Sequence, residues 1–341
     1  MSSKQPRLDV VKYYTELLAK SDPLPAPIAA VETLAELVSR CDSNTIQELL
    51  NLLRQAGTAL ATASFNPVAC DSGTSFFLRY LTLQRPPPEM GFKEFKMELV
   101  ARAREFVKGS GKCRELIAVN MSDFIQDGNT LLVHSYSRVV VQALLYAARE
   151  QKKRFQVYVT ESRPFGLGIK TQAVLSKAGI PAQVILDSAV AYIMPKVDCC
   201  VVGAEAVCES GGLINFIGGY GLAIAAKAMG KPFYALAESF KFTRLFPLSQ
   251  YDLPSSLPTA PLSFASSDQN TAAELPIPPT PSRPMISSQM PSPLTMSDTA
   301  TLNNPTLDYT TPDLITLILS DLGTMTPSGV SDALFTQYGG E

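Results

Sequence analysis

The sequence predicts an α/β protein in which an all-helical N-terminal region precedes a Rossmann-like parallel sheet with helices on both faces. Three observations indicate this fold. Residues 7–126 contain only patterns of helical spacing. Beyond residue 130, short apolar runs of strand length alternate with helical stretches. Polar residues and glycines follow directly after those runs, as they do at the ligand-binding edge of open α/β sheets.

Six helices are predicted in the N-terminal half, each from apolar residues that recur at helical spacing. Prolines and polar capping residues such as Asn44 separate the predicted helices in this half of the sequence. The predicted helices cover residues 8–19, 28–38, 45–63, 70–83, 92–107 and 112–125. Asp127-Gly128 is a turn signal, so a helical domain is expected over residues 1–127.

Five strands and the helices between them are predicted in the C-terminal half. The strands cover residues 131–133, 155–159, 182–186, 199–202 and 233–236, and the helices cover 138–152, 170–178, 190–194 and 221–229. This alternation indicates a Rossmann-like α/β domain over residues 128–341. Two further helices are predicted, the first over the apolar residues 314–319 and ended by Gly323, the second over 327–338.

A Pro- and Ser-rich insertion interrupts the α/β domain at about residues 253–303. Its few charges and low content of large apolar side chains cannot offset the entropy of ordering, so a flexible segment is expected. The steps Thr280-Pro281 and Ser292-Pro293 are potential phosphorylation sites. Ordinary linker composition is the favoured explanation of both.

Composition excludes several classes of function. A net charge of −2 gives no electrostatic footprint for nucleic acid. The six cysteines lack paired zinc spacing, and no apolar run is long enough to cross a membrane. The N-terminus is polar and lacks the apolar segment of a signal peptide. A reduced, cytosolic protein without a metal or cofactor is therefore expected.

Hydroxyl, acidic and basic side chains follow the predicted strands, at the edge where ligands bind to parallel sheets. Such a cleft suits an anionic, hydroxylated small molecule such as a sugar phosphate, because Arg binds phosphate through paired hydrogen bonds. The alternative is that these residues only begin loops, and that the chain's one histidine is structural. The candidate cleft residues from this pattern are His134, Ser135, Tyr136, Ser137, Arg138, Glu161, Arg163, Glu205 and Gly218.

Several longer strings occur in order and carry a resemblance. They are HSYSR (134–138), TESRP (160–164), LDSAVAYIMPKVD (186–198), VGAEAVCESGGLIN (202–215), KPFYALAESFKF (231–242) and NPTLDYTTPDLITLILSDLG with TPSGVSDAL (304–334). Together they resemble the alpha subunits of the guanine-nucleotide exchange factor for eukaryotic translation initiation factor two. In the helical half, PIAAVETLAELV (27–38) and FFLRY (76–80) also fit.

That family shares its fold with isomerases of ribose 1,5-bisphosphate and methylthioribose 1-phosphate. The isomerases carry a cysteine and an aspartate where this chain has Ser135 and Glu205, and an Asn-Lys pair where it has Asn215-Phe216. Loss of the thiol and displacement of the carboxylate point away from catalysis, and loss of the lysine weakens phosphate binding. The resemblance therefore implies a non-catalytic regulatory and assembly subunit of the exchange factor. Its cleft, including Asn215, is a candidate site for a sugar phosphate or nucleotide. An active ribose-1,5-bisphosphate isomerase is the alternative.

The resemblance also implies partners. Alpha subunits of this factor form a homodimer through the sheet domain and join the beta, gamma, delta and epsilon subunits in a decamer. Their helical domain faces the phosphorylated alpha subunit of the initiation factor. Thr45 and Glu48, at the start of a predicted helix, are the candidate partner residues here, with ordinary helix capping as the alternative. The apolar residues 314–319 are a candidate for burial in the dimer.

Overall fold

The computed structural model describes residues 8–20, 24–64, 66–83, 89–253 and 304–339. Except for Leu253, the predicted insertion lies outside these residues, as do the two proposed phosphorylation sites. One compact unit comprises Met1–Ser256 and Thr306–Glu341. The second unit, Leu257–Pro305, lies almost entirely outside the described residues.

Five α-helices occupy the described residues of the N-terminal half. They are α1 (Val10–Leu18), α2 (Ala26–Arg40), α3 (Ile46–Ala63), α4 (Pro67–Leu83) and α5 (Phe92–Ser122). The prediction of separate helices over 92–107 and 112–125 is wrong, because α5 runs through both. Gly109 lies in open space within α5, and a glycine there weakens a helix without ending it.

Tertiary packing explains why α5 is continuous. Phe95 and Leu99 belong to the core of the helical half, together with residues of α1 to α4. Ile117 and Met121, at the other end of α5, pack into the core of the sheet half. One helix therefore contributes to both cores, and burial at its two ends outweighs the weak helix formers between them. A domain boundary near residue 127 stays a prediction.

The main sheet has seven strands in the order β11-β10-β7-β4-β1-β2-β3, all parallel except for the antiparallel β10–β11 pair. Its strands are β1 (Thr130–His134), β2 (Gln156–Thr160), β3 (Ala182–Ile185), β4 (Cys199–Gly203), β7 (Phe233–Leu236), β10 (Leu317–Ser320) and β11 (Gly323–Met325). The five predicted strands are confirmed. The chain winds outward in both directions from β1 and β4, so the topological switch point lies between these two strands.

Helices cover both faces of this sheet, as predicted. They are α6 (Arg138–Arg149), α7 (Leu167–Lys177), α8 (Val190–Ile193), α9 (Gly219–Ala228) and α10 (Val330–Gly339). Leu131 and Val133 of β1 pack in the core with α5, α6 and α7. Leu132, between them, packs in the other core with α8, α9 and α10. The alternation follows from the pleat, which sends successive side chains to opposite faces.

A second sheet has four strands in the order β8-β5-β6-β9. These strands are β5 (Ala206–Cys208), β6 (Leu213–Phe216), β8 (Phe242–Thr243) and β9 (Leu307–Thr310). The strands predicted from the sequence do not include β5 or β6, and a helix is predicted over residues 314–319. That helix is wrong, since the apolar run forms β10, which pairs with β7 and β11. In the described part of the chain, no helix is long and apolar enough to cross a membrane.

Candidate functional site

A small polar cavity of about 60 Å³ lies beside the switch point, between the sheet and the start of α2. Four of the predicted cleft residues line it, together with Val139, two residues that follow β7 and three around the first turn of α2. The lining comprises Tyr136, Ser137, Arg138, Val139, Glu205, Glu238, Lys241, Pro25, Ala26 and Pro27. Its volume admits only a few water molecules or one small anionic group. Ala26 is the first residue of α2 and its backbone N–H has no intrahelical acceptor, whereas Pro25 and Pro27 have no N–H group.

Glu238 and Lys241 form a buried ion pair in this cavity. The Glu238 carboxylate lies 2.9 Å from the Lys241 ammonium, and Lys241 also donates to the carbonyl of Ala204 at 2.8 Å. Burial raises the pKa of Glu238, but the charge and hydrogen bond of Lys241 outweigh it and hold that pKa below its usual value. The pair therefore stays charged, and it contributes both signs of charge to the cavity.

Glu205 is held by the helical half of the protein. Its Oε2 atom accepts a hydrogen bond from Nδ2 of Asn66 at 2.6 Å. Asn66 directly precedes α4, so a residue far away in the sequence positions a predicted cleft residue. The predicted cleft is therefore built from both halves of the chain.

His134 lies in a second cavity, of about 250 Å³, with Gly218 and Asp187 among its lining residues. Its Nε2 lies 3.1 Å from the Phe216 carbonyl, and its Nδ1 lies 2.7 Å from the Thr160 hydroxyl. Because a carbonyl only accepts, Nε2 carries the proton in the neutral ring and Nδ1 accepts from Thr160. Burial lowers the pKa of His134, which favours this neutral form. Both nitrogens are thus engaged in holding the fold, and the histidine is structural in this geometry.

Ser135 occupies the position where the resemblance places a catalytic cysteine in the isomerases. It is buried and adopts a left-handed backbone conformation, with φ of 59°. Its carbonyl accepts a hydrogen bond from Thr171 at 2.7 Å. Its hydroxyl has no hydrogen-bond partner among the residues that the structure describes. A strained residue with an unpaired polar group at a strand end is typical of a functional site.

The remaining predicted cleft residues lie outside the small polar cavity. Glu161 and the exposed Arg163 pair with each other at 3.2 Å. Asn215 donates to the carbonyl of Gly203 at 2.7 Å and accepts from the backbone of Phe216, so it fixes the loop geometry. Gly218 has φ of 108° and precedes the first residue of α9. The ten predicted residues therefore do not form a single pocket.

Asp308 occupies the N-terminus of α9. Its Oδ2 accepts hydrogen bonds from the backbone N–H groups of Gly218 at 2.8 Å and Tyr220 at 2.9 Å. Burial raises the pKa of Asp308 to about 7, although these hydrogen bonds oppose the rise. The Asp308 carboxylate thus occupies the N-terminus of α9, and helix N-termini of this kind bind phosphate in other α/β proteins.

The two candidate partner residues form the N-terminal cap of α3. The Thr45 hydroxyl accepts from the backbone of Glu48 at 3.2 Å, and the Glu48 carboxylate accepts from the backbone of Asn44 at 3.0 Å. The first bond is that of a helix N-cap, and the second ties Glu48 to the residue that precedes the cap. Both side chains are exposed, so capping and partner contact are compatible.

Sequence reasoning missed several residues of this site. Asn66-Pro67 is a helix-start signal that predicts a cap but not its contact with Glu205. Lys241 and Asp308 lie within motifs that carried the resemblance, but no spacing rule places either one in a cavity. Within the described ranges, no group of three His, Cys, Asp or Glu side chains is placed to hold a metal ion.

Comparisons with known proteins agree with this fold. Residues 23–327 match the model of the initiation factor 2 subunit family. Translation initiation factor eIF2B subunit alpha of Dictyostelium discoideum is 38% identical over 330 residues, which cover 96% of each chain. Ribose 1,5-bisphosphate isomerase of Methanocaldococcus jannaschii is 32% identical, but over only 63% of this chain and 66% of its own length.

Solved structures show the same architecture. The chain superposes on a subunit of the tetrameric eIF2B beta2–delta2 complex from C. thermophilum with a TM-score of 0.69 and 20% identity, covering 96% of this chain and 93% of that one. At this identity the similarity bears on the fold alone. The family match and the full-length relative together establish that the chain belongs to the initiation factor 2 subunit family.

Proposed function

We propose that the chain is a regulatory, non-catalytic subunit of the exchange factor eIF2B, equivalent to its alpha subunit. The full-length similarity to the Dictyostelium alpha subunit supports this role, whereas the isomerase similarity leaves about a third of both chains unmatched. The observation that carries the proposal is the bond between Glu205 and Asn66. Glu205 stands at the isomerase aspartate position and lines the cavity of about 60 Å³. Its carboxylate is bound to a residue of the helical half.

The proposed loss of catalysis follows from the groups present near the switch point. A serine hydroxyl at Ser135 is a much weaker acid and nucleophile than a cysteine thiol near neutral pH. His134, which precedes Ser135 in the sequence, has both ring nitrogens in hydrogen bonds within the fold. Turnover of ribose 1,5-bisphosphate by the purified chain, abolished in Ser135→Ala or Glu205→Gln, would overturn this part of the proposal.

The cleft retains the groups for binding a small anion. Arg138 and Lys241 line the small cavity with the carboxylates of Glu205 and Glu238, and Tyr136 and Ser137 supply hydroxyl groups. A sugar phosphate or nucleotide with its phosphate in this cavity is the proposed ligand. Calorimetry with AMP and ribose 5-phosphate tests it: a measurable heat of binding that Arg138→Ala removes is expected, and no heat for either probe would contradict it.

The proposed partners are a second copy of the chain, the beta, gamma, delta and epsilon subunits, and the phosphorylated alpha subunit of initiation factor 2, all in the cytosol. The proposed contact for that last partner is the exposed start of α3, at Thr45 and Glu48. Glu48→Lys should relieve inhibition of nucleotide exchange by the phosphorylated partner and leave the dimer intact. Glu48→Gln keeps a side-chain oxygen for the cap and is the matched control. Full inhibition with Glu48→Lys would place the contact elsewhere.

Purification of the tagged chain from its own cells tests the assembly directly. Recovery of a multi-subunit complex with nucleotide-exchange activity is expected, in which the chain is present in two copies. A chain recovered alone, or with no exchange activity, would contradict the proposed role.

A further inference from the structure

The hydrogen bond between Asn66 and Glu205 joins two parts of the protein that lie 139 residues apart in sequence. Asn66 is 8% exposed, and the donor–acceptor distance is 2.6 Å. Hydrogen bonds to a charged carboxylate are shorter and stronger than those between neutral groups. In a mostly buried setting, loss of either partner leaves the other with an unpaired polar group.

Asn66 also begins α4. Its Oδ1 atom accepts the backbone N–H of Ala69 at 3.0 Å, which is the bond of a helix N-cap. The adjacent Val68 is buried in the apolar core of the four-stranded sheet. One amide side chain therefore caps α4 with its oxygen and holds Glu205 with its nitrogen.

The same residue connects to the end of α3. The Ser64 hydroxyl accepts from the backbone N–H of Asn66 and donates to its carbonyl, both at 3.2 Å, and it lies 3.3 Å from the Tyr14 hydroxyl of α1. Ser64 is the C-terminal flanking residue of α3, whose first residue follows Thr45. We name Ser64 together with residues 66–69 the α3–α4 junction. It lies between the cleft and the helix that carries the proposed partner surface.

We propose that Asn66 is a positioning residue that couples the cleft to the α3–α4 junction. Its amide fixes the Glu205 carboxylate at the edge of the small cavity, and Glu205 in turn holds the start of α4. Binding of a ligand to the Glu205 carboxylate and ordering of the junction then stabilise each other, because both favour the same position of Glu205. The ligand part of this coupling rests on the proposed function, whereas the link between the two residues does not.

Hydrogen exchange of the full chain tests the link without any ligand. Asn66→Ser keeps a capping oxygen but loses the amide donor, and Glu205→Ala removes the acceptor. Each should speed exchange in the first turn of α4 by about tenfold, the factor expected for a hydrogen bond to a charged group. The double variant should exchange no faster than the faster single variant.

Two further variants make the test specific. Glu205→Gln retains a side-chain carbonyl that Asn66 can reach and should restore most of the protection. Glu209→Ala removes a half-buried carboxylate four residues further along the chain and should leave α4 unchanged. Wild-type exchange at α4 in Glu205→Ala, or effects that multiply in the double variant, would overturn the coupling.

A second measurement separates this inference from the ligand proposal. In calorimetry with AMP and ribose 5-phosphate, Asn66→Ser should bind the same probe about tenfold more weakly than the wild type. Equal affinity would overturn the positioning role. Failure of the wild type to bind either probe would contradict the proposed ligand, and the exchange measurement would still decide whether Asn66 and Glu205 are coupled.

Discussion

The Oδ2 atom of Asp308 accepts the backbone N–H of Gly218 at 2.8 Å, across 90 residues of sequence. This bond ties β9 of the small sheet to the turn that begins α9. His134 holds the residues just before this turn, because its ring hydrogen-bonds the carbonyl of Phe216. Two buried titratable groups thus fix the backbone at the carboxyl edge of the main sheet, so the local fold responds to pH.

Asp308 is expected to make stability fall as pH rises from about 4 to about 7. Its folded pKa of about 7 lies above the ordinary value near 4, so the unfolded chain releases this proton first. The resulting loss in the free energy of unfolding is on the order of 4 kcal/mol and is complete above pH 7. Asp308→Asn keeps an acceptor but does not titrate. Denaturant unfolding should show this variant gaining stability over the wild type between pH 5 and pH 8, and an equal difference at both pH values would contradict the account.

Substitution of Gly73 by alanine should destabilise the helical half. A Cβ atom at Gly73 would overlap the backbone carbonyl of Pro27 at the start of α2, so the two helices would have to separate. Overpacking of this kind costs about 1–3 kcal/mol. Gly109→Ala is the matched control, because its Cβ meets no atom within 4 Å and alanine favours a helix by about 0.5–1 kcal/mol. Thermal unfolding should show opposite shifts, and a stabilised Gly73→Ala would be inconsistent with the packing.

Lys241→Met should destabilise the protein by about 3–5 kcal/mol, since it leaves the Glu238 carboxylate buried without its partner. The double variant Glu238→Gln/Lys241→Met should recover much of that loss, because no charge then remains buried. The contribution of Glu238 to stability changes with pH in the opposite direction to that of Asp308. The folded pKa of Glu238 is lowered, so its contribution is present above its unfolded pKa near 4.3 and is lost as pH falls through the lower folded value. Additive losses in the double variant would argue against the ion pair.

The sequence was sufficient for the five central strands and the helices between them. Runs such as that of β4, Cys199–Gly203, are apolar because both faces are buried, and they end at glycine or polar residues that start the loops. The run that became β10 was misassigned because a short, wholly apolar segment fits a buried strand and a buried helix equally well. Its parallel pairing with β7 decides between them, and that contact spans about 80 residues.

The small sheet and the contact between Asn66 and Glu205 depend on residues far apart in the sequence, which local patterns do not predict. β8 has two residues and β5 has three, which is too short for any periodicity. The candidate cleft residues follow the strands at the carboxyl edge, whereas Asn66 reaches Glu205 from the other half of the chain. Local rules predict that Asn66 caps a helix. The packing of α4 on the small sheet is what brings its amide nitrogen to Glu205.

The most direct test of the central claim is nucleotide release from initiation factor 2, catalysed by eIF2B reconstituted with or without this chain. With the chain present, the phosphorylated alpha subunit of initiation factor 2 should strongly inhibit release, and omission of the chain should remove most of that inhibition. Inhibition that is the same with and without the chain would contradict its assignment as the regulatory subunit.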